Sequence, residues 1–227
     1  RLERQRPAGS AAPGEARMSA GHSAADTAAR YQLEAEQADF VARTARDMHR
    51  KYSAAARTEK RLGGMLEALQ EQGFYVLSDR LWPGSSRANV DFIVVGPSGV
   101  TIVDAKSWAD VSIQNGHVFQ GQDDVTERFE NLSSLRDVTE ASLAEVGLAP
   151  GEIRVAAVFM GTRTLSGRAV GVDLMSEAAA IRYIVGRGSR LRTAEIAAVL
   201  AATEELFLPM VLRDQPVQLT MPDVVVP

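Results

Sequence analysis

A β-hairpin near the middle of the chain is the feature that most restricts its fold. Two runs rich in β-branched and other apolar residues, Asn89–Val95 and Val100–Lys106, flank the turn-forming sequence Gly96-Pro97-Ser98-Gly99. A four-residue loop of this kind places Val95 opposite Val100 and sets the register of the whole hairpin. The sequence therefore predicts two antiparallel strands whose opposed residues can be named.

This register brings two acidic side chains together. Asp91 is predicted to lie opposite Asp104, and strand alternation puts Lys106 on their face. Opposed carboxylates in a largely buried sheet repel each other by about 0.2–1 kcal/mol before any cost of desolvation. A cation between them, or protonation of one of them, removes that repulsion.

A third acidic group is expected from the helix that precedes the hairpin. Its apolar stripe runs back from Leu69 through Leu66 and Leu62, and the next inward position is Glu59. An inward glutamate needs a partner, and the same cation would supply one.

The other predicted elements complete an α/β sandwich with a mixed sheet, entered through a long N-terminal helix. Periodicity predicts helices over 24–69, 126–146, 177–185 and 193–206, and strands over 74–77, 153–160 and 170–174. The long helix is expected either to be continuous or to break near Ser53.

Composition narrows the choice of metal. The chain has no cysteine and only three histidines, without ligand spacing, so any metal must be bound by oxygen atoms. Glu59, Asp91, Asp104 and the carbonyl of Ala105 form a ligand set suited to Mg²⁺, with Mn²⁺ as the substitute. Lys106 would orient the attacking water and balance developing charge.

Each of these features has an ordinary structural alternative. An inward glutamate can cap a helix or form a salt bridge, and Asp91 and Lys106 can form a diagonal ion pair. Against this, the chain has only three lysines, and Asp104-Ala105-Lys106 is its only acidic-x-lysine tripeptide. The active-site interpretation is therefore favoured.

At these residues the chain resembles the nuclease-related domain (NERD) family of the PD-(D/E)xK nuclease superfamily. The resemblance is carried by the segment from Thr58 to Leu69, by Asn89–Val100 and by Val103–Trp108. It implies a restriction-endonuclease-like α-β-β-β-α-β core and metal-dependent hydrolysis of DNA. It also implies catalytic or ligand roles for Glu59, Asp91, Asp104 and Lys106.

Four segments are predicted. Residues 1–23 are expected to be disordered or tag-like, 24–54 to form a helical arm, 55–208 to form the nuclease-like domain and 209–227 to be a tail. The expected partner is DNA. A homodimer through the arm is an option, because the arm could instead serve as a helical interaction element.

The functional alternative to an enzyme is a non-catalytic nuclease-fold module that binds DNA or docks a partner. The net charge of −4 argues against DNA binding by bulk charge, although it permits a local basic groove. Four arginines, Arg182, Arg187, Arg190 and Arg192, are either such a phosphate-binding surface or simply solvated. No apolar run is long enough to cross a membrane, and a cytoplasmic location is expected.

Overall fold

The structure, a computed structural model, describes residues 22–86, 88–149 and 151–210. The chain divides into two compact units, Arg1–Lys51 and Tyr52–Pro227. Most of the predicted N-terminal segment and of the predicted tail lies outside the described residues. Among the described residues, no helix combines the length and the apolar character needed to span a bilayer.

Helix α1 (His22–Glu67) is continuous, which is one of the two options that the sequence leaves open, and it does not break near Ser53. In the first unit its residues are solvent-exposed, with Phe40 and Val41 exposed to 66% and 65%. In the second unit its inward stripe is buried as predicted, through Leu62 and Leu66. A short 3₁₀ helix then leads to Gly73, whose left-handed conformation (φ 80°) ends the helical segment.

Within the described residues, nine strands follow, in two sheets. They are β1 (Tyr75–Leu81), β2 (Asn89–Gly96), β3 (Gly99–Lys106), β4 (Val111–Gln114), β5 (His117–Gln120), β6 (Asp123–Asp124), β7 (Ile153–Phe159), β8 (Ser166–Ala169) and β9 (Val172–Ser176). The main sheet has the order β1-β2-β3-β7-β9-β8, and β4-β5-β6 form a small separate sheet. Because β3-β7-β9 are parallel while the other neighbours are antiparallel, the main sheet is mixed, as predicted.

Helices cover both faces of the main sheet. Besides α1 they are α2 (Glu130–Leu143), α3 (Glu177–Val185) and α4 (Thr193–Leu206). One core packs β-strand side chains against α2 and α4, through residues such as Leu135 and Val199. The other packs the opposite face against α1 and α3, through Leu66 and Ile184. The predicted α/β sandwich is confirmed.

The central hairpin has the predicted register. Val95 pairs with Val100 and Gly96 with Gly99. Gly99 is required at the turn, because its φ is +100° and an added Cβ would lie 2.6 Å from the carbonyl oxygen of Glu152.

The first strand is longer than the sequence predicts. It was expected to end at Leu77, but it continues to Leu81 by pairing with β2. Its outer edge pairs with the segment after α4: Leu208 accepts a hydrogen bond from the Leu81 amide, and the Met210 amide donates to Asp79. Long-range pairing of this kind leaves no periodicity in the local sequence.

Candidate active site

The predicted acidic pair lies just beyond the end of the β2-β3 ladder. Phe92 and Val103 are the last paired residues, so Asp91 and Asp104, which follow in the same register, have no backbone pairing with each other. In place of that pairing, Asp91 Oδ2 accepts a hydrogen bond of 2.7 Å from the amide of Ala105. The β2-β3 pairing therefore ends beside the two carboxylates, and the backbone amide of Ala105 bonds to the Asp91 side chain instead of to a residue of β2.

Asp91 is in an environment that disfavours its charge. Burial, followed by repulsion from Asp104, raises the pKa of Asp91 from 3.8 to about 7, although the Ala105 hydrogen bond acts in the other direction. Because the two aspartates interact, their protons are lost as a coupled pair. Burial also raises the pKa of Asp104, and Lys106 partly counteracts this effect.

Lys106 pairs with Asp104, and the ion pair with Asp91 that was considered from the sequence is not formed. Its Nζ donates a 3.0 Å hydrogen bond to Asp104 Oδ1 and lies 2.8 Å from Oδ2. The contact at Oδ2 lacks the angle of a hydrogen bond, but at this distance the ammonium still compensates the charge of this buried oxygen. Lys106 is therefore the charge partner of Asp104, whereas the partner of Asp91 is the Ala105 amide.

Lys106 is itself held by an aromatic cluster. Its ammonium lies 5.5 Å from the ring of Trp108, and the Arg128 guanidinium lies 5.2 Å from the same ring. Trp108 packs edge-on against Phe129 and Phe159, with ring centroids 5.8 and 6.0 Å away. Trp108 therefore packs against the core and restricts the position of the Lys106 ammonium through a cation–π contact.

Glu59 reaches the same region from α1. It lines a cavity of about 520 Å³ together with Asp91 and Asp79. Burial raises the pKa of Glu59, and the charges of Asp79 and Asp104 raise it further. The structure thus brings Glu59 within electrostatic range of the residues with which it was predicted to act.

Asp91 and Glu59 meet on the α1 side of the sheet, because the cavity that both line also includes Gly63 of α1 and Phe92. Glu59 continues the stripe of α1 residues that pack in the core on this side. Strict alternation along β2 is interrupted beyond the last paired residues of the hairpin, since Val90 belongs to the core under α2 and α4, as Ile93 does.

Asp79 is an acidic residue of this cavity that the sequence reasoning missed. Its neighbours in β1 pair Ser78 with Phe92 and Arg80 with Val90, so the register places Asp79 across from Asp91. Its φ of 48° is in the left-handed region, where aspartate is tolerated better than most residues. Extending the predicted first strand by two residues would have revealed this alignment.

Within the described part of the chain, no group of three or more His, Asp or Glu side chains is close enough to hold a metal ion as arranged. The donor chemistry nonetheless fits a hard divalent cation. The carboxylates of Glu59 and Asp91 line one cavity, and Asp104 is near enough to act on Glu59, so the oxygen ligands that such a cation prefers are grouped there.

Helices on both faces of a mixed sheet, with carboxylates at the open end of its central hairpin, give this chain a nuclease-like core. More specifically, residues 54–157 match the model of the nuclease-related domain (NERD) family. All four predicted site residues, Glu59, Asp91, Asp104 and Lys106, lie inside the matched segment. No curated protein and no solved structure matches the chain.

Proposed function

We propose that the chain is a nuclease that hydrolyses phosphodiester bonds of DNA and depends on Mg²⁺, for which Mn²⁺ can substitute. The observation that carries this proposal is a set of three neighbouring carboxylates, those of Glu59, Asp91 and Asp104, whose charged forms are disfavoured by burial and which have Lys106 beside them. Such an arrangement is costly in a folded protein, and perturbed carboxyl groups of this kind cluster at functional sites.

The ligand set would consist of Asp91, Asp104, Glu59 and the carbonyl of Ala105. A divalent ion held there would neutralise phosphate charge and lower the pKa of a nearby water. The role of the protein groups is to keep the carboxylates ionised and oriented. The Ala105 amide does this for Asp91, because its 2.7 Å hydrogen bond favours the charged form.

Lys106 would act on the phosphate in the transition state. Its ammonium stands beside Asp104 and over Trp108, so its position is restricted before substrate arrives. Hydrolysis adds the oxygen of water to phosphorus and breaks the bond to one sugar oxygen, which leaves with a proton. Negative charge grows on the phosphate oxygens during this displacement, and a fixed ammonium stabilises it.

One observation favours the alternative of a non-catalytic module for DNA binding or partner docking. Lys106 already neutralises Asp104 in an ion pair with 2.8 Å between Nζ and Oδ2. In that alternative the lysine has a structural role, and its loss leaves an uncompensated buried charge that destabilises the domain by about 3–5 kcal/mol.

The experiment measures cleavage, DNA affinity and melting temperature on one preparation of Lys106→Ala. Linear, closed circular and single-stranded DNA are incubated with Mg²⁺, Mn²⁺ or EDTA. A catalytic Lys106 predicts that cleavage falls by about 10²–10³-fold while affinity changes little, since one phosphate contact is a small share of binding. Lys106→Arg should not restore activity, because a planar guanidinium does not replace a compact ammonium.

Lys51→Ala is the matched control, since Lys51 is exposed and lies in the other compact unit. It should cleave like the unaltered chain. Full activity in Lys106→Ala would falsify the mechanism, and absence of divalent-dependent cleavage in the unaltered chain would leave the non-catalytic module as the function.

A further inference from the structure

A second cavity, of about 760 Å³, lies in the nuclease-like unit where strands β7 and β9 begin. Its wall includes Ile153, the first residue of β7, and Gly171, which precedes β9. In the parallel β3-β7 pair, Thr101 aligns with Arg154, whereas Asp104 aligns with Ala157 further along. The acidic site therefore stands toward the opposite end of these strands.

Arginine dominates the lining of this cavity. Its five arginines come from separate elements or loops: Arg136 (α2), Arg154 (β7), Arg168 (β8), Arg182 (α3) and Arg187 (after α3). Two carboxylates, those of Glu140 and Asp173, line it as well. The lining thus carries an excess of three positive charges (five minus two) in a chain whose net charge is −4.

Carboxylates satisfy these arginines to different degrees. Arg136 pairs with Asp137 at 2.8 Å, whereas Arg168 Nε lies 3.8 Å from Asp173. Arg187 lies 3.5 Å from Glu152, whose closer partner is Arg190 at 2.7 Å. Within the described ranges, Arg182 has neither a hydrogen bond nor a carboxylate partner. Its guanidinium is exposed on the last turn of α3 and is available to a ligand.

Arg154 has the most restricted position of the five. It donates to the carbonyls of Tyr183 and Ile184 and to Thr101 Oγ1, at 2.7–3.1 Å, and lies 4.4 Å from the Tyr183 ring. Its Nε is buried without a partner. Burial lowers the pKa of Arg154, and the nearby charge of Arg187 adds to this effect.

Hydrogen bonding to the carbonyl oxygens at the end of α3 explains the position of only some of the arginines around the cavity. Cations near a helix C-terminus are favourable, and Arg154 serves that purpose directly. Arg136 and Arg168 belong to other elements: Arg136 donates to the Gly171 carbonyl, and so does Arg168, more weakly. Helix capping therefore does not explain why guanidinium groups surround the space.

We propose that this cavity binds a compact polyphosphate, either the di- or triphosphate group of a nucleotide or a free inorganic polyphosphate. Guanidinium groups bind phosphate oxygens through paired, charge-assisted hydrogen bonds. Five of them placed around a concavity match a small, multiply charged anion better than an extended strand, which would need a linear track. This site is independent of the proposed nuclease chemistry.

The test is calorimetric titration of the full chain with tripolyphosphate and with ATP, in EDTA and at about 0.15 M ionic strength. Without divalent ions the acidic cavity repels phosphate, so binding there does not interfere. The variants are Arg182→Gln and Arg168→Gln, whose side chains are exposed and do not support the core. Arg163→Gln, an exposed arginine after β7, is the control.

We expect saturable binding, weakened at least about tenfold in each cavity variant and changed less than about twofold in the control. Similar affinity for both probes assigns the site to the phosphate chain alone, and tighter binding of ATP assigns it to a nucleotide. No saturable binding of either probe overturns the proposal. So does equal weakening by Arg163→Gln, or binding of a DNA oligonucleotide alone with loss in the cavity variants.

Discussion

Replacing Asp91 by asparagine should stabilise the metal-free protein at alkaline pH. Asparagine keeps an oxygen that can accept the Ala105 hydrogen bond but removes the charge that burial and Asp104 disfavour. The pKa of Asp91, about 7 against an ordinary 3.8, sets the size of the expected gain in folding free energy. At about 1.4 kcal/mol per pKa unit, the charged form costs about 4 kcal/mol of folding free energy.

The pH dependence follows from the sign of that change. Well below the ordinary pKa of 3.8, Asp91 is protonated in both the folded and unfolded states, so it contributes no difference. As pH rises from about 4 to 7 the unfolded chain loses this proton first, and the free energy of unfolding falls. Asp91→Asn removes this decline, whereas groups common to both proteins cancel in the comparison.

The assay is urea unfolding in EDTA at pH 5 and pH 8. The gain from Asp91→Asn should be several kcal/mol at pH 8 and about two fifths of that at pH 5, where the Asp91 carboxyl is mostly protonated in the folded state and mostly ionised in the unfolded chain. Asp123→Asn, at an exposed aspartate of β6, is the control and should show no such pH dependence. Parallel behaviour of the unaltered chain and Asp91→Asn between the two pH values would refute the reasoning. In the proposed nuclease, added Mg²⁺ or Mn²⁺ restores the stability of the unaltered chain only.

Three further predictions concern the scaffold. Glu152→Gln should lower the free energy of unfolding by about 1–3 kcal/mol at pH 7, because the buried Glu152 carboxylate pairs with Arg190 at 2.7 Å. This hydrogen bond lowers the pKa of Glu152, so the loss should shrink as pH falls below the ordinary value of 4.5. Urea unfolding at pH 3 and pH 7 measures both effects. Gly99→Ala should destabilise the hairpin by several kcal/mol through a 2.6 Å clash at a φ of +100°, measured as a lowered denaturation midpoint. Removing residues 1–40 should leave the melting temperature of the second unit unchanged, whereas removing 1–54 should lower it, and equal melting of both truncations would contradict this.

Local patterns in the sequence were enough to predict the central hairpin. The turn composition and the apolar alternation together set the pairing of Val95 with Val100, and the pairs as far as Phe92 and Val103 follow from it. The inward position of Glu59 was equally local, since it continues the stripe of Leu62 and Leu66. Both depend on periodicities that a single element imposes.

Tertiary pairing decided the features that the sequence did not reveal. Strand β8 has the sequence Ser-Gly-Arg-Ala, which has no β-forming character, and it exists because it pairs with β9. Asp79 joined the site only because β1 extends beside β2. The opening of the ladder after Phe92 depends on the Asp91 side chain taking the Ala105 amide, which is a competition between side chain and backbone.

The segment that pairs with β1 has a consequence for how this protein avoids self-assembly. Leu208 and Met210 direct their bonded groups toward β1, so Pro209 between them faces outward. Proline has no amide hydrogen to offer to an incoming strand, and an exposed sheet edge is otherwise a template for addition of another chain. Within the described residues, Pro209 therefore offers no amide hydrogen to an added strand, and its exchange for a residue such as valine would supply one beside the strand that carries Asp79.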